Sequence, residues 1–331
     1  MADNKDKKVL KVPDLRFPEF TGEWQCKAIG KVAPLQRGFD LPTQNLVEGI
    51  YPVIYSNGIL QHHDKYKCEA PGLITGRSGT IGKFTYIDSG FYWPHNTSLW
   101  VTDFCGNCPK FIYYLYQTVH IEQFSTGSGV PTLNRNDVHR YKTFVPTAIV
   151  EQEKIAKFLS ILDERIATQN KIIEDLKKLK SAIIEKLYSE IQGKEYSFGQ
   201  LFEVVNERNK QMEYSNILSA SQEKGMVNRD DLNLDIQFER SNINTYKIVM
   251  AGDYVIHLRS FQGGFAFADK LGVCSPAYTI LRPNSLLEYG YLSYYFTSNR
   301  FIKSLIIVTY GIRDGRSINV EEWLNMKIAI P

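Results

Sequence analysis

A stretch of 40 residues, Glu151 to Glu190, contains neither glycine nor proline, although the chain on either side is rich in both. Ten positions in it follow spacings that alternate between four and three, and all but Gln169 and Lys180 are apolar. This alternation is typical of a coiled-coil seam and not of an ordinary surface helix. It predicts one helix of about 60 Å, at 1.5 Å per residue, which a globular core seldom requires. The apolar seam positions are Ile155, Leu159, Leu162, Ile166, Ile173, Leu176, Ile183 and Leu187.

The segments before and after this helix resemble each other. GLITGRSGTIGKF at 72–84 and GDYVIHLRSFQGGF at 252–265 are both apolar runs that lead into an Arg-Ser turn. Two aromatic stretches also correspond, FIYYLYQT at 111–118 and YLSYYFTS at 291–298, and both are expected to be helix-like. Each segment ends on a short predicted strand that a proline stops. The chain is therefore predicted to be an internal duplication in the order domain, helix, domain.

The fold class follows from the mixture of elements in both halves. Short β-branched or aromatic runs alternate with glycine-rich turns and an occasional helix. We expect an α+β protein in which two similar mixed α/β domains, at 1–146 and 194–331, are separated by a long coiled-coil-type helix at 147–193. A chain of 331 residues suits two domains. The odd number of cysteines, five, and the polar N-terminus predict a cytoplasmic protein without a membrane span.

Signatures of catalysis are missing from the sequence. It has no HExxH, GxSxG or GxGxxG motif, and the glycine-rich run at 76–84 fails the spacing of a phosphate-binding loop. Cys105 and Cys108 form a CxxC pair that could be half of a zinc site, but no second pair has a fitting spacing, and ordinary thiols are the simpler interpretation. We therefore predict no catalytic residue, no metal and no cofactor.

Polar turns that combine arginine or lysine with small hydroxyl or amide residues remain, at matched places in the two halves. Such side chains contact DNA phosphates and base edges, arginine with guanine in particular. The net charge of only +3 suits a protein that binds DNA within a larger, more basic assembly. The candidate DNA-binding residues are Arg77, Ser78, Thr80, Lys83, Ser128 and Arg135 in the first half, and Arg259, Ser260, Gln262, Arg313 and Arg316 in the second.

The sequence also resembles a known family. The opening LRFPEFTGEWQCKAIG, at 15–30, is similar to the usual start of specificity (S) subunits of Type I restriction-modification systems. The stretch from 145 to 190, with EQEKIAKFLSILD followed by LKKLK, closely resembles their central spacer helix. The two flanking halves match the paired target recognition domains of these subunits. The resemblance covers nearly the whole chain, but only the helix motif is specific.

This resemblance implies a mechanism. Each recognition domain reads one half of a split double-stranded DNA target, and the helix sets the gap. Two modification subunits with S-adenosylmethionine dock on the helices and methylate an adenine in each half-site, and restriction subunits join them. The S subunit catalyses nothing.

Members of this family usually carry a second long helix after the second domain, and this chain ends at Pro331, where that helix would begin. The sequence therefore also predicts self-association through the unpaired seam. The alternative interpretation is a two-headed protein adaptor that dimerises through its helix.

Overall fold

The computed structural model describes residues 13, 15–127, 129–221, 224–231, 240–257, 264–310 and 317–331. The chain forms two compact units, Met1–Gln169 and Asn170–Pro331, so the long helix begins in one unit and ends in the other. None of the described helices combines the length and the apolar character that crossing a membrane requires.

The first unit has short strands and helices that precede the long helix. In chain order they are β1 Gln25–Ala28, α1 Ile29–Val32, β2 Leu35–Arg37, β3 Tyr51–Tyr55, β4 Gly58–His63, β5 Cys68–Glu69, β6 Gly72–Gly76, β7 Phe84–Ile87, β8 Phe91–Pro94, β9 Ser98–Val101, α2 Pro109–Thr118, β10 Ser125–Thr126, β11 Thr132–Leu133, α3 Arg135–Arg140, β12 Lys142–Val145 and α4 Ile149–Ser189.

Two four-stranded sheets form the centre of the first unit. One has the order β2-β9-β6-β7 and is antiparallel throughout. The other has the order β4-β3-β8-β5, in which only the β3–β8 pair is parallel. The main core lies where α1, α2 and α3 pack against the first sheet, with Leu73 and Leu99 from the strands meeting Ile112 and Tyr116 from α2. Burial of this apolar surface is the main force that holds the sheet to its helices.

The second unit repeats this sequence of elements. They are β13 Lys194–Ser197, α5 Phe198–Leu201, β14 Phe202–Val205, β15 Leu218–Ser221, β16 Gly225–Asn228, β17 Lys247–Val249, β18 Tyr254–Ile256, β19 Phe265–Phe267, β20 Gly272–Cys274, β21 Thr279–Pro283, α6 Asn299–Ser304, β22 Thr309–Tyr310, β23 Ser317–Ile318, α7 Val320–Asn325 and β24 Lys327–Ile330.

The sheets of the second unit have the same topology as those of the first. Its antiparallel sheet has the order β14-β21-β18-β19, strand for strand the counterpart of β2-β9-β6-β7. The pairs β15–β16 and β17–β20 match the second sheet, and a parallel bridge between Ile217 and Val273 stands where β3 meets β8. Pairing of the first strand with the last is also repeated, as β1–β12 and β13–β24. The internal duplication is confirmed.

The long helix is confirmed as well. It was predicted over Glu151–Glu190, and α4 spans 41 residues, Ile149–Ser189. The two terminal strands stopped by proline are also present, as β12 and β24.

The prediction of matching aromatic helices is wrong for the second unit. FIYYLYQT lies in α2, but YLSYYFTS forms turns and a single 3₁₀ turn at Tyr295–Thr297. The side chain of Ser298 then accepts a hydrogen bond from the Phe301 amide at 3.2 Å and caps α6. A serine at the start of a helix favours a new first turn there. The helix that is continuous in the first unit is therefore divided in the second.

Candidate nucleic-acid interface

The Arg-Ser turn of the first unit is the loop of the β6–β7 hairpin, residues 77–83. Gly76 ends β6, and a Cβ atom at this position would lie 1.7 Å from the carbonyl oxygen of Thr80. Gly79 has a φ of +80°, which side-chain-bearing residues rarely adopt. The loop therefore folds back tightly on the end of β6 and projects its polar residues from the edge of the hairpin.

A second hairpin, β10–β11, holds this loop in place. The Leu133 amide donates to the carbonyl of Arg77 at 2.7 Å, and the Gly79 amide donates to that of Pro131 at 3.0 Å. Ser78 pairs with Thr132 in an isolated antiparallel bridge. The structure thus brings together two of the polar turns that the sequence singled out, the Arg77 loop and the turn that contains Thr126 and Ser128. Ser128 itself lies outside the described residues.

The side chain of Arg77 differs from the three arginines of its unit that pair with carboxylates. It is half-buried, and its Nε atom is fully buried without a hydrogen-bond partner among the described residues. Arg16, Arg37 and Arg140 instead form ion pairs with carboxylates, those of Glu151, Asp40 and Asp137 in that order. A buried donor without an acceptor costs free energy, so the fold holds this guanidinium in place at a cost.

The other described candidates of the first unit lie on the Arg77 loop or directly after the hairpin that holds it. Ser78 is half-buried, and Thr80 and Lys83 are exposed on the same loop. Arg135 is exposed in the first turn of α3, directly after the hairpin that holds the loop. Asn134 caps this helix, with its side chain accepting from the Asn136 amide at 3.0 Å.

The candidates of the second unit lie outside the described residues. They are Arg259, Ser260, Gln262, Arg313 and Arg316. The strands that flank them are described, and they are the counterparts of the hairpins in the first unit: β18–β19 matches β6–β7, and β22–β23 matches β10–β11. The second-unit candidates thus lie in the sequence between the strands of these two hairpins, and their role in DNA binding stays a prediction.

The predicted seam of α4 divides into two parts. Ile155 packs against the core of the first unit, and Leu159 is half-buried beside it. They line an apolar groove of about 470 Å³ with residues of α2 and β12. The remaining six positions are exposed in this chain, with 40% exposure at the least: Leu162, Ile166, Ile173, Leu176, Ile183 and Leu187.

The CxxC pair is not accompanied by further metal ligands. No cluster of three or more His, Cys, Asp or Glu side chains that could hold a metal ion occurs within the described parts of the chain. Cys105 and Cys108 are both free thiols. Burial, followed by the charge of Asp103, raises the pKa of Cys105, so its reactive thiolate is disfavoured.

Sequence reasoning did not select a cleft in the second unit as a site. Lys177 and Lys180 of α4 line it together with Lys224 and His257, which are distant from them in the sequence. The local signal in the sequence is Lys180, the one charged residue among the ten seam positions.

Comparisons with known proteins agree with this architecture. Residues 21–178 match the family described as the Type I restriction modification DNA specificity domain. No curated protein sequence is significantly similar to the chain. The fold resembles that of a Type I restriction-modification S subunit from M. genitalium, with a TM-score of 0.59, 16% identity, and coverage of 92% of this chain and 84% of that one.

A second solved structure is similar over almost the same extent. It comes from a study of complex assembly and conformational transition in the type I R-M system, with a TM-score of 0.53, 13% identity, and coverage of 93% of this chain and 86% of the other. The matched family is defined by DNA specificity, so the adaptor interpretation is not favoured. Residues 21–178 thus match the DNA specificity domain of Type I restriction-modification systems, and the fold of the chain resembles that of an S subunit of such a system.

Proposed function

We propose that each of the two units reads one half of a bipartite DNA target and that α4 sets the distance between the half-sites. The chain recognises DNA sequence and catalyses nothing, since methylation and cleavage belong to partner subunits in this family. The proposal assigns recognition to domains at 1–146 and 194–331 and the spacer to 147–193. The cytoplasm suits this role, because the free cysteines fit a reducing compartment.

The duplicated hairpin is the observation that carries this proposal. The same four-stranded sheet occurs twice, and in both copies the sequence between the two strands of its last hairpin contains an Arg-Ser pair. In the first copy the loop is braced by a second hairpin, and the Nε of Arg77 has no partner within the described chain. An arginine held in this way can donate two hydrogen bonds to guanine O6 and N7.

The exposed seam of α4 supports the assignment of partners. Six apolar seam side chains from Leu162 to Leu187 are exposed in the single chain, and an aligned row of this kind favours burial against another helix. We assign this surface to the modification subunits, which the restriction subunits then join. Self-association through the same seam would compete with that assembly.

A methylation map tests the proposed function. DNA from cells that carry this chain and its modification subunits is sequenced for methylated adenines, with the wild type and with Arg77→Ala. We expect a split motif for the wild type. Arg77→Ala should relax or lose the half that the first unit reads and leave the other half intact, because one bidentate contact contributes about 1–3 kcal/mol of base discrimination.

Arg140→Ala is the matched control, since Arg140 is an exposed arginine of the same unit that pairs with Asp137. It should leave the motif unchanged. An unchanged motif in Arg77→Ala would remove this residue from base recognition. A palindromic motif would show that one unit reads both halves in paired copies of the chain, which contradicts the assignment of one half-site to each unit.

A further inference from the structure

A polar cleft of about 430 Å³ lies within the second unit, between α4 and the β18–β19 hairpin. One wall is a single face of the helix, because its residues are spaced by three and four positions. The other wall includes the end of β18 and the start of β19. The helix contributes Lys177, Lys180, Ser181 and Ile184, and the opposite side contributes Lys224, His257, Gly264, Phe265, Phe296, Thr297 and Ile302.

The charge of this cleft is positive. Three lysines line it, and Lys180 and Lys224 have no carboxylate partner among the residues that the structure describes. The Lys180 Nζ instead lies 4.9 Å from the ring centre of Tyr294. An adjoining recess of about 210 Å³ shares Lys180 and Lys224 and contains one carboxylate, Asp269. Ser181 adds a hydroxyl group to the helix wall, whereas the Thr297 hydroxyl already donates to the Tyr294 carbonyl at 2.8 Å.

Lys180 also interrupts the seam of the helix. It occupies a position of the four-three pattern at which Ile and Leu otherwise predominate. A lysine at a seam position weakens a coiled coil. Coiled-coil packing therefore does not account for a lysine at this position, whereas a charge that lines the cleft can bind a ligand there.

The cleft lies at the base of the hairpin that corresponds to the Arg77 hairpin of the first unit. The His257 amide donates to the carbonyl of Gly264 at 2.8 Å, and both residues line the cleft. This is the last described pairing before the two strands lead into the turn. A group bound in the cleft therefore lies next to the segment that connects β18 to β19.

We infer that this cleft binds a backbone phosphate of double-stranded DNA through Lys180 and Lys224. The inference rests on the proposed function, and it adds a contact that is independent of base sequence. Lysine ammonium groups bind phosphates as point charges, and phosphate contacts fix the position of a protein on the duplex. A phosphate held there would fix the DNA backbone next to the ends of β18 and β19. An acidic surface of a partner protein is the competing occupant, but the hairpin position favours DNA.

Salt-dependent DNA binding tests this assignment. The full chain, assembled with its modification subunits, is titrated with a labelled 40-base-pair duplex of mixed sequence between 50 and 200 mM salt. Each lost phosphate contact lowers the slope of log affinity against log salt by about 1. We expect this reduction for Lys180→Ala and for Lys224→Ala. The loss of affinity should be the same on the mixed-sequence duplex and on a duplex that carries the methylated motif.

Lys178→Ala is the matched control, because Lys178 lies between Lys177 and Lys180 in the sequence but pairs with Glu174 at 2.7 Å and does not line the cleft. Its slope should equal that of the wild type. Lys180→Arg and Lys224→Arg retain the charge and should retain the slope, which separates a charge effect from misfolding.

Two results would overturn the inference. One is an unchanged slope in both alanine variants. The other is weakened assembly with the modification subunits at an unchanged DNA slope, which would assign the cleft to a protein partner. Either result leaves the proposed function standing if Arg77→Ala still relaxes the motif. Loss of every sequence preference in the wild-type complex would instead remove the proposed function.

Discussion

Glu151 anchors the start of α4 to the N-terminal segment of the first unit. It is 2% exposed, and its carboxylate accepts hydrogen bonds from Arg16 at 2.6 and 2.7 Å and from the Trp24 indole at 3.0 Å. Burial by itself raises the pKa of Glu151, but these donors more than offset it and hold the pKa below its ordinary value. The ionised form therefore stabilises the folded unit.

Replacing Glu151 should destabilise the first unit. Glu151→Ala leaves the largely buried guanidinium of Arg16 without its carboxylate, at an expected cost of about 3 kcal/mol. Urea denaturation at pH 7 measures this difference, and Glu153→Ala, at an exposed position of the same helix, should change stability by less than about 0.5 kcal/mol. Because the folded pKa of Glu151 is lowered, its contribution is present above about pH 4.5 and declines as the pH falls further. An equal gap between wild type and variant at pH 7 and pH 3.5 would contradict this account.

His139 makes the stability of the first unit sensitive to mildly acidic pH. Its Nε2 accepts a hydrogen bond from the Leu35 amide at 2.8 Å, which requires this nitrogen to be unprotonated. Burial, followed by the charge of Arg135, lowers the pKa of His139. The unfolded chain therefore takes up a proton first as the pH falls, and stability is lost below about pH 6.5.

Thermal melts between pH 7.5 and 5.5 measure this effect. Between these pH values the Tm of His139→Gln should fall less than that of the wild type, because a glutamine carbonyl accepts the Leu35 hydrogen bond without titrating. His62→Gln, at an exposed position, serves as the control and should keep the wild-type pH dependence. The same pH dependence in both variants would show that His139 is not responsible.

At the scale of elements, α4 combines two kinds of apolar surface. Ile155 packs on the core of the first unit, whereas Ile173 and Leu176 are more than half exposed. Ile155→Ala should therefore destabilise the chain by about 1–2 kcal/mol. Ile173→Ala and Leu176→Ala should change its stability by less than about 0.5 kcal/mol and weaken assembly with the modification subunits. Urea denaturation and co-purification measure the two effects, and undiminished assembly would exclude this part of the helix from the interface.

The long helix could be predicted because its seam is a local repeat, and the duplication could be predicted because matched turns keep their spacing. The division of the second aromatic stretch could not be predicted from aromatic content. Ser298 was not recognised as a helix start, and Phe296 and Phe301 pack in a core that also contains Trp323, far along the chain.

The lysine cleft was missed because Lys224 meets α4 only after folding. The backbone hydrogen bond between Leu133 and Arg77 was missed for the same reason, since it joins two hairpins that are distant in the sequence.

For the whole molecule, α4 continues through the boundary between the two units, and the proposed function makes its length the determinant of target spacing. Insertion of one heptad between Gln169 and Asn170 adds about 10 Å of helix and preserves the seam. If α4 sets the gap, the motif should lengthen by about three base pairs, at 3.4 Å per step. A methylation map of cells with the lengthened subunit measures this change. Insertion of the same seven residues into the exposed turn at Ser89–Gly90 is the control and should leave the gap unchanged.

The pairing of first and last strands has a consequence for how such proteins diversify. Gln25 lies opposite Val145 across β1–β12, and Lys194 lies opposite Ile330 across β13–β24. The part of each unit outside α4 thus begins and ends on neighbouring strands, the arrangement that tolerates circular permutation and insertion of whole domains. A unit can be exchanged as a cassette by recombination at these strands, while the helix and its docking surface are inherited unchanged. New DNA specificities can then arise by shuffling units, without redesign of the assembly.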